Sequence, residues 1–599
     1  MSDIALTIGS TTKHFDLAVQ DKAKMLAITE EPIIPIRSLA DVPSYGDLPP
    51  DKILAFVQNN WRGGMGQKNH FNIMDMFADG QNINTRNPNE IKLGPLIVTA
   101  GGIAATILYL YLWGDEEYAA SSSKVYRWNG TTAWVEVLDT GGVIKAITSY
   151  DEYIIVAVED SDYFVSTSGD SASWSNPGLS NQDADQLVVA PSFTATKDIL
   201  VKGEESNEIR TAIDPFTGAW TDPPTYVGDE GSNLTGLFVL NGTLFIGKTD
   251  GLYALPPDGR PVLVISFKEQ KNTTNFKYHT NWQGIEYVSA NDDILELLST
   301  SGITMRVDYM GPLGLSPELE VTGTIKGIAN DGKNLYAIFL IGSNYIIYAG
   351  RERFDVKYGL RWEWIPFVHL GTNVCAALKV MQRSGAGAKL WFAYGTNMAY
   401  VSLPEDSTHR YATQGYLTTT YFTAGYDTWQ KIFYQLWSIA KNLTATINIK
   451  VYYMKDTQTS WTLLTTIVTS GVKSVNLAGL SCKKIRLKLE LNTDDATKSP
   501  VLQQFIYRGI LQPEQTRTLD ITVILAQSDS RKPSSDLSFL EGGRTATAPI
   551  TLKDLRFGTT KYIMYLPNSP TEIEVIDDVS NQPSYRARIQ AQVLNWTSP

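Results

Sequence analysis

The chain has 599 residues, of which 43% are hydrophobic, 19% charged and 11% aromatic, and its net charge is −12. The length is too great for one compact core and predicts roughly two to four domains. The negative balance excludes a protein that wraps nucleic acid by neutralising phosphates, though not an acidic channel along which DNA slides. Two cysteines, Cys375 and Cys482, exclude a disulfide scaffold, and both are expected as free thiols in different domains.

Taken from the N-terminus, Met1-Ser2-Asp3-Ile4-Ala5 has no basic start followed by an apolar run, so no secretory signal is expected. Pro32, Pro35, Pro43, Pro49 and Pro50 punctuate a stretch with little pattern, and residues 1–52 read as an extended arm. The apolar run Ile53-Leu54-Ala55-Phe56-Val57 reads as a strand that closes a ring of repeats. Leu96 to Trp113 carries no charge over 18 residues, the length of a membrane-span candidate. Its Gly101-Gly102 pair and the β-forming Thr106-Ile107-Leu108-Tyr109-Leu110-Tyr111 predict buried strands instead.

The middle of the chain repeats. Apolar strands open near Ile103, Val143, Leu187, Leu234, Tyr278, Ile325 and Val374, 40 to 49 residues apart. Turn pairs such as Asn129-Gly130, Asn241-Gly242, Asp250-Gly251, Asp258-Gly259 and Asp331-Gly332 tolerate the positive φ of tight hairpins. A four-stranded unit at this period is the mark of a β-propeller, here of about seven blades over residues 53–412. Regular strands over 413–512 predict a β-sandwich. Residues 513–599 predict a small C-terminal β-domain, with Ser528 to Thr547 as a long loop or arm. The fold class is all-β.

Candidate chemistry is sparse. His14, His70, His279, His369 and His409 show no ligand spacing, so no metal site is expected. Asp160-Ser161-Asp162 is a weak candidate for calcium. The doublets Glu204-Glu205, Asp292-Asp293 and Asp577-Asp578 place neighbouring carboxylates on opposite faces of a strand, which does not suit an acid/base pair. Trp61, Trp113, Trp128, Trp134, Trp282, Trp362 and Trp364 could stack on sugars, but are expected in cores and interfaces. Ser168-Gly169-Asp170-Ser171-Ala172-Ser173-Trp174 resembles the Asp-box of sialidase-like propellers, with the Trp one residue too close; such a motif braces a hairpin and does no chemistry. No catalytic, cofactor-binding or metal-binding residue is assigned, and no cofactor is expected.

A resemblance enters through Asn60-Trp61-Arg62-Gly63-Gly64-Met65-Gly66-Gln67, Phe77-Ala78-Asp79-Gly80-Gln81-Asn82-Ile83-Asn84-Thr85-Arg86 and Ile91-Lys92-Leu93-Gly94-Pro95. Together with Lys498-Ser499-Pro500-Val501-Leu502, Phe505-Ile506-Tyr507 and Leu552-Lys553-Asp554-Leu555, these segments resemble large propeller-bearing structural tail proteins of tailed bacteriophages. The resemblance implies a non-enzymatic virion component, made in the host cytoplasm and placed in the tail as a nozzle or ring, a tip, or a fibre anchor. The implied partners are other tail proteins and further copies of itself in a cyclic trimer or hexamer. Few charges and many aromatics (14 Trp, 30 Tyr) suit such covered surfaces. Two other readings are kept: a module that binds a host receptor or glycan, and a sialidase-like glycosidase. No sequence-specific nucleic acid and no membrane span are expected.

Overall fold

The computed structural model describes residues 2–20, 23–24, 26–32, 53–66, 76–87, 89–178, 184–192, 196–204, 206–217, 219–301, 304–311, 323–355, 359–423, 429–512, 515–525, 532–576 and 583–594. These residues form an all-β protein, and the α-helix among them is Pro533–Glu541. They divide into two compact units.

The larger unit, residues 54–427 and 433–509, contains a propeller-like succession of antiparallel sheets. Sheet I runs Tyr109–Trp113, Glu116–Ala120, Lys124–Trp128 and Trp134–Asp139. Sheet II has three strands, Ile144–Tyr150, Tyr153–Val158 and Ser161–Ser166. Sheets III, IV, V and VI begin at Gln186–Ala190, Leu234–Leu240, His279–Trp282 and Thr324–Asn330. Sheet VII begins at Leu378–Met381 and continues through Lys389–Tyr394 and Asn397–Ser402. The alternation that builds them is plain in Ile144–Tyr150, where buried and half-buried residues alternate along the whole strand. First strands touch in circular order: I to II, II to III, III to IV, V to VI, VI to VII and VII back to I. Phe238 of sheet IV packs on His279 of sheet V at 5.2 Å, completing the circuit.

The ring closes with a strand from an earlier segment. Val98–Ala100 pairs antiparallel with Asn397–Ser402, Val98 opposite Tyr400 and Ala100 opposite Met398. The expected closing strand, Ile53–Val57, lies elsewhere: Ile53–Gln58 joins a sheet with Gly471–Cys482, Gln430–Lys441 and Val501–Gln512. The true closing strand is three residues of Val-Thr-Ala, too short to print a period. From Val98–Ala100 the chain crosses to sheet I, where Gly101 O accepts a hydrogen bond from the Trp134 N–H at 2.9 Å. A Cβ on Gly102 (φ +93) would lie 2.0 Å from Trp134 O, so only glycine passes here.

Between sheets I and VII sit Trp128, Trp134 and Trp391, with ring centroids 5.0 to 5.5 Å apart. Both contacts to Trp391 are edge-to-face, a geometry worth about 0.5–1.5 kcal/mol per pair beyond area burial. Lys389 Nζ lies 4.5 Å from the Tyr400 ring centroid and 5.4 Å from that of Trp391. Trp391 Nε1 donates to Glu117 Oε1 at 3.0 Å. Burial raises the Glu117 carboxyl above its ordinary range, against the opposing pull of that bond and of Lys389.

The same unit carries a second pair of sheets. One is ordered Thr462–Ile467, Asn448–Lys455, Ile485–Asn492, Gln414–Thr418, Asp79–Gln81; the other contains Ile53–Gln58. Their buried residues, among them Phe433, Leu489 and Phe505, form one continuous core with Tyr336, Phe339 and Trp362 of sheet VI.

The smaller unit is Met1–Ile53, Thr428–Ile432 and Ile510–Pro599. Here the expectation of an extended arm over 1–52 is overturned for the described part. Ile4–Ile8, Thr11–Leu17 and Leu26–Pro32 are strands of an eight-stranded sheet; residues 33–52 lie outside the described residues. Six strands close on themselves: Pro583–Leu594, Thr559–Tyr565, Ile550–Asp554, Ile4–Ile8, Thr11–Leu17, Gln515–Ile524, and back to Pro583–Leu594. Ile4, Leu6, Phe15, Leu17, Ile521, Val523, Leu552 and Ile589 fill the inside. The loop expected over Ser528 to Thr547 contains the helix Pro533–Glu541, begun by Pro533 with Asp536 in its first turn. Asp536 is fully buried and ion-paired with Lys13 at 3.1 Å. Phe539 stacks on Phe15 at 6.2 Å.

Truncating Trp391 to Ala is expected to cost about 3–5 kcal/mol, read as a lower urea midpoint. Glu117→Gln keeps an oxygen that can accept the Trp391 N–H and removes the buried charge. Because the folded carboxyl titrates above the unfolded one, Glu117 favours folding at acid pH and disfavours it as pH rises through 4.5 and beyond. The variant should therefore melt higher than wild type at pH 7 and alike at pH 4, measured by thermal unfolding at both values.

Candidate functional site

The residues weighed from sequence do not converge. His14 is on Thr11–Leu17, His279 on sheet V, His369 on sheet VI, and His409 follows sheet VII; His70 lies outside the described residues. Among the described residues, no three His, Cys, Asp or Glu side chains gather as a metal site. His279 Nδ1 is 2.9 Å from Glu286 Oε1, and Asn281 Nδ2 donates to Glu286 Oε2 at 3.0 Å, a strand-to-strand brace. Burial lowers the His369 and His409 imidazoles. Cys375 and Cys482 are buried and not joined in a disulfide, and both lie in the larger unit.

Two described members of the doublets, Glu204 and Asp293, have structural roles. Glu204 neutralises the buried Lys202, whose ammonium also lies 4.8 Å from the Trp220 ring centroid. Asp293 caps its own strand by accepting the Ile294 N–H at 2.8 Å. Glu205, Asp577 and Asp578 lie outside the described residues. Asp160 holds a turn at φ +50, and the Asp162 carboxylate accepts the Tyr163 N–H at 2.9 Å. Trp61, Trp128, Trp134, Trp282, Trp362 and Trp364 are buried, and Trp113 is half-buried.

The Asp-box-like turn is a brace. Ser166 Oγ bonds Ser173 Oγ and accepts the Gly169 N–H at 2.7 Å. Ser173 N donates back to Asp170 O at 2.9 Å. Ser175 then bridges to Val165, giving sheet II a vestige of a fourth strand. Asp170 points away to Arg127 at 2.7 Å. Gly169 (φ +69) lies on Tyr118, with 2.0 Å between a built Cβ and the phenol oxygen.

A polar cleft of about 470 Å³ lies beside Gln414–Thr418 in the larger unit. Gln81, Asn82, Thr413, Gln414, Tyr416, Lys488 and Glu490 supply its polar groups. Asn82 builds one wall: at φ +49 it turns the chain after Asp79–Gln81, accepts the His369 N–H at 2.7 Å and donates to Gln414 O at 3.3 Å. Lys488 Nζ stands 4.3 Å from the Tyr416 ring centroid and 3.8 Å from Glu490 Oε2. Burial pushes the Tyr416 phenol up to about 12, so it is neutral at pH 7. The lining holds a single carboxylate and no His or Cys. It can hydrogen-bond a polar ligand but does not supply the facing carboxylate pair of glycoside hydrolysis. No sequence signal marked this cleft, because its walls come from segments some 330 residues apart.

If the turn at Ser168–Trp174 only braces sheet II, its backbone should matter more than its carboxylate. Gly169→Ala should lower stability by more than about 1 kcal/mol, while Asp170→Ala should leave the melting temperature nearly unchanged in calorimetry.

The sequence matches no protein-family profile and no curated protein. Among solved structures, the computationally designed Ika8 protein is 14% identical, with a TM-score of 0.33, covering 52% of this chain and all of that one. A chain of the mitotic checkpoint complex is 13% identical, with a TM-score of 0.37, covering 53% of this chain and 96% of that one. The extracellular domain of the one-component system BT4673 from B. thetaiotaomicron is 9% identical, with a TM-score of 0.38, covering 76% of this chain and 60% of that one.

Proposed function

We propose that this chain is a non-enzymatic structural component of a tailed-phage virion, working in the tail by assembly with other tail proteins and with copies of itself. In this reading sheets I to VII are the blades of a seven-bladed propeller. The sheets containing Gln414–Thr418 and Val501–Gln512 are the two halves of a β-sandwich, and the smaller unit is the small β-domain, completed by strands from the N-terminal segment.

The observation that carries the proposal is an apolar edge left open to solvent. On the consecutive strands Thr462–Ile467 and Gly471–Cys482 and their connection, Leu463 is 51% exposed, Val468 42% and Val472 64%. These exposed apolar side chains lie on the edge strands of two sheets and their connection, a kind of edge that proteins cover with a neighbour, and they occur in a chain with few charges to keep it apart from neighbours. The phage assignment itself rests on the segments around Trp61, Asn82 and Pro95. The polar cleft beside Tyr416 favours a second reading, a module that binds a host glycan or receptor, which is compatible with the first.

Light scattering with negative-stain imaging should find a ring or trimer, and antibody labelling should place the protein in purified phage tails. The double variant Leu463→Glu/Val472→Glu should dissociate the assembly while retaining the wild-type circular dichroism spectrum and melting temperature. A protein absent from purified virions and monomeric at every concentration would sink the proposal. Retention on a host-glycan array, lost in Tyr416→Ala, would move the weight to the second reading.

A further inference from the structure

We propose that the solvent-facing side of the five-stranded sheet in the larger unit binds an acidic glycan: Arg486 and Lys488, each flanked by two aromatic rings, take the carboxylate or phosphate of a sugar, and the polar cleft beside Tyr416 takes its hydroxyls. The inference rests on the glycan-binding reading of that cleft and names the class of sugar.

Strand Ile485–Asn492 lies in the middle of this sheet, between Asn448–Lys455 and Gln414–Thr418. Ile485, Leu487 and Leu489 are buried in the core, so Arg486, Lys488, Glu490 and Asn492 share the other side of the strand. Opposite residues of antiparallel strands share a face. That brings Tyr452 beside Lys488, Lys450 and Tyr416 beside Glu490, and Asn448 and Gln414 beside Asn492. The Lys488 ammonium lies 4.3 Å from the Tyr416 ring centroid and 5.7 Å from that of Tyr452, on the strands to either side. Arg486, about 7 Å away along the strand, repeats the arrangement. Its guanidinium carbon is 4.9 Å from the Tyr421 ring centroid and 5.1 Å from that of Trp461. Lys484 Nζ adds a further cation, 4.6 Å from the Tyr421 ring centroid.

Aromatic rings hold a cation in place without neutralising it. Among the described residues no carboxylate pairs with Arg486. Its Nε has no hydrogen-bond partner, and a terminal nitrogen donates to the weak acceptor Met454 Sδ at 2.8 Å. Lys488 is 3.8 Å from Glu490 Oε2, while Glu490 Oε1 is 3.5 Å from Lys450. Lys450, Lys484, Arg486 and Lys488 thus stand against Glu490 and, on the far strand, Asp79. In a protein of net charge −12, a local excess of positive charge concentrates anions, and a guanidinium matches the planar fork of a carboxylate or the oxygens of a phosphate. The adjoining cleft answers a different need. Glu490 accepts hydrogen bonds from hydroxyls, and Gln81, Asn82, Thr413 and Gln414 both donate and accept. A phosphodiester chain has few hydroxyls to offer Glu490 and is repelled by it. The ring faces that carry the cations are also closed to stacking bases, on which single-stranded nucleic acid depends. A ligand rich in hydroxyls and bearing an acid group satisfies both ends of the strand.

The test measures binding of the full chain to four immobilised probes by interferometry: tetragalacturonate, a phosphomannan oligosaccharide, neutral maltotetraose and a single-stranded oligonucleotide. Tetragalacturonate or the phosphomannan should bind at least tenfold tighter than maltotetraose, and the binding should weaken as sodium chloride is added. Binding of tetragalacturonate alone assigns the face to a carboxylate-bearing sugar, and of the phosphomannan alone to a phosphate-bearing one. Arg486→Gln/Lys488→Gln should weaken the acidic probe at least tenfold while keeping the wild-type circular dichroism spectrum. If that variant does not fold, Lys488→Gln alone should weaken it at least threefold. Equal binding of maltotetraose overturns this inference and leaves the wider glycan reading standing. An oligonucleotide held as tightly as the acidic glycans, acidic binding unchanged in the variants, or no binding of either acidic probe overturns it too; the wider reading falls only if the host-glycan array is also blank.

Discussion

The pairing of Val98–Ala100 with Asn397–Ser402 holds the larger unit in register. A succession of sheets laid side by side leaves two faces bare, one at each end, and only closure covers both. Here closure is made by main-chain pairing at the outer edge and by Trp128, Trp134 and Trp391 further in. Glu116 extends the seam to Arg383 at 2.9 Å, and Asp115 Oδ1 accepts the Ser384 N–H at 2.6 Å. Between sheets II and VI aliphatic and small side chains such as Ile144, Val156, Val201, Ile246 and Ala290 share the joints with aromatic ones, Trp282 of sheet V meeting Trp362 of sheet VI edge-to-face at 5.8 Å. The seam brings together three indoles, both contacts to Trp391 edge-to-face, with the buried Glu117 carboxylate and with Lys389 over aromatic faces.

Much of this was legible in the sequence, and the failures have a common cause. The openings read near Val143, Leu187, Leu234 and Ile325 fall at the first strands of sheets II, III, IV and VI, because those strands carry runs of Ile, Leu and Val that satisfy a period-two pattern. In sheet II Ser175 makes a single bridge to Val165 where the other sheets carry a fourth strand. What the pattern could not convey was partnership across distance. Ile53–Gln58 has the composition of a buried strand, and nothing in it says which sheet buries it. Ile4, Leu6, Phe15 and Leu17 alternate faithfully, yet their partners lie at the far end of the chain, so the prolines beyond them set the reading. The helix Pro533–Glu541 buries only Asp536 and Leu540 fully and leaves its other residues exposed or half-buried, too little apolar repeat to be seen.

The same limit governs the chemistry. A lysine in a sequence is an anonymous surface cation, and here four such residues have different fates. Lys248 is fully buried and donates to Val227 O and Asp229 O, both at 2.6 Å, tying a turn to sheet IV. Lys202 is balanced by Glu204, and Lys389 rests on three aromatic rings. Lys379 lies against the Tyr111 ring, 4.8 Å from its centroid. Burial and partnership, neither written in local sequence, decide which of these cations is held and how.

The smaller unit sets a problem of timing. Lys13 bonds Ser535, 522 residues away, and Ile4–Ile8 pairs with Ile550–Asp554. At a synthesis rate of about 5–20 residues per second, the first strands wait roughly half a minute to two minutes before their partners leave the ribosome. For that interval Ile4, Leu6, Phe15 and Leu17 have no native core to enter. Nascent chains on one messenger would carry the same unpaired strands close together. A barrel assembled from opposite ends of the polypeptide therefore places its greatest aggregation hazard in translation, before the mature protein exists.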